Sequence, residues 1–208
     1  MNKKSFIWLI PVLVITLAMS ACGGDSGGGG AANLNFAGEQ VYTKTMSPYT
    51  GADKTLTSGA GGTGSITGGK MSFSVGTPSR LVPMESFLVN MSDDFHIFSD
   101  AEFTGNTNAA ELSFSPTLYK AMYSSLLPSL PIEAVRYVYV DRDCTITAAG
   151  KTVNYGVIPV TVSNLNLSLK QGWNAINSKI ALTTTGSTVG GTVNIRTGDS
   201  SSCKWILE

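Results

Sequence analysis

His96 is the single histidine of the 208-residue chain, so any Ser-His-Asp triad must be built on it, with Asp93, Asp94 or Asp100 as third member. No G-x-S-x-G elbow accompanies it, and Phe95 and Phe98 flank it in a predicted strand at 95–98, which reads as a structural histidine. One histidine and two further cysteines, Cys144 and Cys203, do not make a closed zinc site. Acids gather at Asp93, Asp94, Asp100 and Glu102, and again at Asp141 and Asp143. Calcium takes hard oxygen ligands from loops, but D-D-x5-D-x-E is not an EF-hand loop and Arg142 stands inside D-R-D. Solvated loops account for both clusters. A pair of carboxylates could also hydrolyse a glycosidic bond if the two faced one cleft. Tyr137, Tyr139 and Trp173 are candidate ligand contacts, because exposed rings stack on sugars, whereas buried ones are core. No catalytic residue, metal or cofactor is assigned.

The elements that would hold these residues read mostly as strands. Residues 35–45 open the domain weakly, and the Gly-rich stretch 51–64 reads as a loose connection. Residues 65–67 and 70–75 form a hairpin across Gly68-Gly69, and Met71, Phe73 and Val75 alternate with Lys70, Ser72 and Ser74. Residues 83–88 could make one or two helical turns, and 111–115 a short strand. Ser115-Pro116 is a good helix start, and Leu118, Met122 and Leu126 share a helical face that Pro128 ends, which predicts one packed helix. On that helix Tyr119 and Tyr123 lie one turn apart.

Beyond Ala134 the pattern is all strand. Val135, Tyr137 and Tyr139 point one way and Val138 and Val140 the other, as expected of a central strand covered on both faces. Residues 144–148 and 151–155 are predicted to pair as a hairpin, with Pro159 near a strand edge or bulge. Leu165, Leu167 and Leu169 lead through Lys170-Gln171-Gly172 to a return strand carrying Ile176, Ile180 and Leu182, a second hairpin in which Gly172 takes a positive φ. Residues 192–196 and 204–207 complete the sheet. The expected fold is mainly β: an antiparallel sandwich or partly closed barrel of about eight to ten strands with one helix packed on it.

The first 22 residues, MNKKSFIWLIPVLVITLAMSAC, govern location. Lys3 and Lys4 precede an apolar run that is short for a membrane span, and Met19-Ser20-Ala21 lead into Cys22. This resembles the lipobox of bacterial lipoproteins, with Met19 where leucine is usual. The resemblance implies cleavage between Ala21 and Cys22 and acylation of Cys22. Residues 1–21 are then a signal peptide, 22–33 a lipidated cysteine and Gly-rich tether, and 34–208 one β-rich domain. A tether of that composition reaches roughly 17–20 Å. Loss of Lys3 and Lys4 leaves 12 basic and 14 acidic residues, a balance that disfavours nucleic acid and electrostatic docking to anionic membranes. An oxidising compartment and an acylated Cys22 leave Cys144 and Cys203 as a single candidate disulfide.

Taken with TGSITGGKMSF, LVPMESFL, YVYVDRDCTI, LNLSLKQGWNAI and a terminal KWILE, the lipobox resembles uncharacterised lipoproteins of spirochaetes and related diderm bacteria. The resemblance implies an exported protein held on a membrane by lipid, and Gly23 after the cysteine points to the outer membrane. The expected role is a non-enzymatic structural or binding module with an extracytoplasmic ligand, glycan or protein. A secreted-type hydrolase acting on glycans is the alternative.

Overall fold

The computed structural model describes residues 30–91, 101–104, 106–124, 127–155, 158–185 and 188–208. Cys22, Ala21, His96, Asp93, Asp94, Asp100, the strand predicted at 95–98 and Leu126 lie outside them. In chain order the strands are β1 (Leu34–Tyr42), β2 (Lys54–Ser58), β3 (Thr63–Thr67), β4 (Lys70–Val75) and β5 (Val82–Pro83). Helix α1 (Met84–Met91) follows, then β6 (Glu102–Phe103), β7 (Asn108–Glu111), β8 (Phe114–Ser115) and β9 (Leu118–Ser124). The second half consists of β10 (Leu127–Val140), β11 (Cys144–Ala148), β12 (Lys151–Tyr155) and β13 (Ile158–Val162). It ends with β14 (Leu165–Leu169), β15 (Gly172–Thr185), β16 (Thr188–Thr197) and β17 (Lys204–Leu207).

The fold is mainly β, as its alternating patterns require, with more strands than expected and mixed pairing. Fourteen strands belong to one sheet, whose main path is β12-β13-β16-β15-β10-β9-β17-β1-β4-β3-β2-β8, while β14-β11-β6 form a second. Two pairs are parallel, β1 with β17 and β13 with β16. The large sheet does not close into a barrel, although β8 pairs with β2 and β7, only two residues before it, pairs with β10.

Strand β10 carries the architecture. Its residues alternate between two separate cores, as apolar side chains on both faces demand. Val138 and Val140 enter a core with Ile146, Val160, Leu165, Leu167, Leu169 and Ile176, roofed by the three-stranded sheet. Val135, Tyr137 and Tyr139 enter the other, with Val41, Leu56, Ile66, Met71, Phe73, Trp173 and Trp205. That second core is roofed by the end of the large sheet that carries β1 to β4.

Several expectations are corrected. Residues 118–124 are strand, not helix: β9 lies between β10 and β17. Leu118 and Met122 are four apart, an even spacing that shares a face in a strand as well as in a helix, and two waiting strand edges decide between the two. The described helix is α1 instead, at the turns read from PMESFL, and it buries Met84 and Phe87. Residues 51–64 contain β2 and the start of β3. Residues 144–148 and 151–155 do not pair, since β11 joins β14 and β6 while β12 joins β13. The turn at 170–172 likewise joins two sheets and is no hairpin: β14 pairs with β11, and β15 with β10 and β16. The hairpin across Gly68-Gly69 does form, with φ of 55° and 77° at its two glycines, the left-handed pair such a turn needs.

The disulfide between Cys144 and Cys203 is absent, and both thiols are free and buried. Cys144 belongs to the core under the small sheet and Cys203 to the core on the opposite side of β10, so the large sheet stands between them. Being the two cysteines left over once Cys22 is acylated does not bring them to the close Cα approach a bridge requires.

Candidate functional site

Two polar constructions stand out from the apolar cores. The first is the corner between the two sheets. Asn174, 9% exposed, accepts from the Lys170 amide at 3.0 Å and donates to the carbonyls of Lys170 (2.7 Å) and Gly172 (2.9 Å). One side chain thereby bonds three backbone groups of the turn. Gly172 has φ 107°, a conformation open to glycine, and a Cβ there would lie 2.6 Å from the Ala31 carbonyl oxygen. Ala31 fits because of that glycine: its amide donates to the Trp173 carbonyl at 2.9 Å, and the Trp173 amide returns a bond of 2.8 Å. Gly30 sits directly against the Gln171 carbonyl. Trp173 Nε1 donates to the Gly76 carbonyl at 2.9 Å, which ties the corner to the end of β4. Asp143 closes the outside, accepting from Lys170 Nζ at 2.8 Å and the Gln171 amide at 2.9 Å, and these bonds hold its carboxyl below the usual carboxylate range.

The second construction lies beneath the segment 198–203, between β16 and β17. Glu133 is 2% exposed, in phase with Val135, Tyr137 and Tyr139 on the inward face of β10. Its carboxylate accepts from Asn177 Nδ2 at 2.9 Å and from Ser202 Oγ at 3.1 Å, with Lys179 Nζ at 3.5 Å. Burial opposes ionisation, yet the bonds from Ser200, Asn177 and Ser202 and the Lys179 charge hold Glu133 below its ordinary value. Alongside, Asp199 accepts from Lys120 Nζ at 2.6 and 2.7 Å and from the Tyr137 hydroxyl at 2.8 Å. Lys120 Nζ also lies 6.0 Å from the ring centres of Tyr137 and Trp205. Ser200 and Ser202 join the halves at 2.8 Å.

Neither group is free to react. Burial and the Asp199 charge push the Tyr137 phenol well above its normal range, which keeps its proton in place. Burial, with Glu133 nearby, raises the Cys203 thiol to about 11, far from the thiolate a nucleophile needs. The chemistry available here is that of a lock: each charge is matched, and the matching fixes the crossing from β16 to β17.

The residues singled out from the sequence fall in other places. Tyr137, Tyr139 and Trp173 are 7%, 8% and 2% exposed, and their rings pack inside the second core. Tyr137 stacks on Trp205 at 6.0 Å and 13°, and Tyr139 meets Trp173 edge-on at 5.6 Å. Asp141 accepts from the Asn108 amide and side chain at 2.9 and 2.8 Å and stands 3.4 Å from Arg142, a brace between β7 and the end of β10. Glu102 is exposed on β6. Tyr119 and Tyr123 share a hydroxyl contact of 2.8 Å, along a strand rather than a helix. Lys120, Glu133, Asn174, Asn177 and Asp199 were missed. Glu133 had a visible signal, since it continues the every-second-residue inward row of Val135, Tyr137 and Tyr139, where a carboxylate must find partners.

A cleft of 260 Å³ lies elsewhere, over Ala60, Val82, Phe87 and Ala109, with Arg80 and Glu111 as its charged members. Among the described residues Glu111 is its one carboxyl group, raised by burial against the pull of Arg136. Among the described residues no group of three metal-ligating side chains converges. No family model matches the chain, and no curated protein and no solved structure matches it either.

Proposed function

We propose that the protein is an exported lipoprotein, anchored through acylated Cys22 on a membrane, in this reading the outer one, and serving as a non-enzymatic structural or ligand-binding module. The observation that carries this reading is the clasp between Ala31 and Trp173. Nine residues after Cys22, the chain is fastened by a reciprocal pair of backbone bonds to the corner between the two sheets. A pull on the N-terminus is therefore passed to β15 and, through the Trp173 indole, to the end of β4. Such a fastening suits a domain carried on a short Gly-rich leader. The commitment of Glu133, Asp199, Lys120 and Tyr137 to one another supports a display role over hydrolysis, because a glycosidase needs two carboxyl groups across a cleft. Among the described residues the cleft beside Arg80 offers Glu111 alone.

Metabolic labelling with a fatty acid tests the anchor. Wild type is expected to incorporate label and partition into detergent, and Cys22→Ala to do neither. Equal labelling of the two chains refutes the reading. A glycan and host-matrix binding array on the mature chain then identifies the ligand class.

A further inference from the structure

We propose that the cleft between β5, β7 and the start of α1 binds a free α-amino acid with an apolar side chain. Four segments build it. The link between β2 and β3 supplies Ala60, β5 and its approach supply Val82 and Arg80, α1 supplies Phe87, and β7 supplies Ala109 and Glu111. The inner side is apolar and closed, with Ala60, Phe87 and Ala109 at 3%, 6% and 0% exposure. The volume is 260 Å³. Sites that enclose drug-sized ligands measure roughly 300–1,000 Å³, so the occupant is a smaller molecule.

Two charges of opposite sign stand over that apolar side. Val82 pairs with Ala109, and two residues on from that pair come Arg80 in one segment and Glu111 in the other, both lining the cleft. Arg80 is exposed and, among the described residues, makes no ion pair. Glu111 has Arg136 Nη1 at 3.8 Å, beyond hydrogen-bond reach, and burial pushes its carboxyl above the ordinary value. A guanidinium with no anion and a half-buried carboxylate with no close donor are thus brought to the mouth of one small apolar cavity.

The pair of charges selects the occupant. Guanidinium groups bind carboxylates through paired N–H donors, and a half-buried carboxylate gains from an ammonium brought against it. A simple carboxylate sets its charge against Glu111, and a simple amine sets its charge against Arg80, so each is rejected by one of the two. A neutral sugar leaves both charges unmatched and has no use for the apolar side. A longer peptide separates its termini by about 3.3–3.6 Å per residue, too far for one small cleft to meet both. An ammonium and a carboxylate on one carbon, with an apolar side chain turned toward Phe87 and Ala109, satisfy every part of the cleft. This names a ligand class for the binding role proposed above, and it rests on that reading.

The test uses the chain from residue 22 with Cys22→Ser, which keeps every described residue and removes the acylation site. L-Valine, L-leucine and L-phenylalanine are titrated in by calorimetry, and amide shifts are followed by NMR. Saturable binding of at least one, with a Kd below about 1 mM and shifts at Ala60, Val82, Ala109 and Ala110, is expected. The matching analogues without the ammonium or without the carboxylate (for leucine, 4-methylpentanoate and 3-methylbutylamine) should each bind about tenfold more weakly or worse. Glu111→Gln should relieve the rejection of the carboxylate analogue and Arg80→Gln that of the amine, each coming within about threefold of the amino acid. Arg80 is exposed, so Arg80→Gln should leave the thermal melt unchanged. No saturable binding of any of the three, an analogue that binds wild type as well as the amino acid does, or preferences unchanged in both variants overturns the proposal. Amide shifts confined to other parts of the sheet also overturn it, because they place the amino acid elsewhere. None of these titrations reads the fatty-acid labelling of Cys22, so the two readings fail separately.

Discussion

At the scale of single residues, Glu133 matters most. A carboxylate that is 2% exposed survives only because Asn177, Ser200, Ser202 and Lys179 meet it. Glu133→Ala leaves those donors facing a cavity and is expected to cost about 3 kcal/mol, read from denaturant melts. The pH dependence follows from the direction of the shift. A carboxyl group held below its unfolded value adds stability that is complete above that value, about 4.3 for a glutamate, and is lost as pH falls through the folded one. Asp141 and Asp143 are shifted the same way and add to the loss. Wild type should therefore lose stability steadily below about pH 4.5, and Glu133→Gln should lose less over the same window. Equal slopes for the two proteins would remove Glu133 from the account.

At the scale of elements, the corner at 170–174 shows why a glycine, a tryptophan and an asparagine stand in a row. Gly172 lets Ala31 approach, Trp173 holds it and reaches β4, and Asn174 satisfies the turn. Gly172→Val should destabilise by about 1–3 kcal/mol through its φ and its clash with Ala31. Asn174→Ala should cost about 1–3 kcal/mol by stranding backbone groups. Gln171→Ala, at an exposed side chain, should be nearly silent in the same thermal melts. The positive φ of Gly172 was legible from its place in the sequence; the partner across the turn was not. Alternating leucines in β14 and the apolar points in β15 fit a hairpin equally well, because period two reports which face is buried and not which strand lies alongside. Strand β9 failed for a related reason. Its spacing suits both periods, and the deciding bonds come from β10 and from β17, more than 80 residues away.

At the scale of the whole molecule, β10 separates two cores. Its two apolar faces announced that division, which is why the coarse architecture could be read from YVYV and its flanks. What could not be read was the assignment of distant segments to each side. Cys144 and Cys203 went to opposite sides, so reductant should leave the melting temperature unchanged. Neither thiol should react with maleimide until the chain is unfolded, when both should. Mass spectrometry of the labelled protein checks this directly. The lock beneath 198–203 and the bonds that tie 170–174 to Ala31, Gly76 and Asp143 were invisible for the same reason: their donors and acceptors come from segments far apart in sequence.

The position of β17 sets the order in which the molecule can be completed. Residues 204–207 lie between β1 and β9, parallel to the first strand and antiparallel to the other. A chain emerging N-terminus first therefore keeps the edges of β1 and β9 open to each other until residues 204–207 arrive, because among the described residues no earlier segment fills that slot. Contacts of such long sequence separation are slow to close. Completion of the large sheet therefore waits for β17, which acts as its keystone. A chain ending at Ser202 should remain open and sensitive to protease, and a synthetic peptide of residues 203–208 supplied in trans should restore resistance.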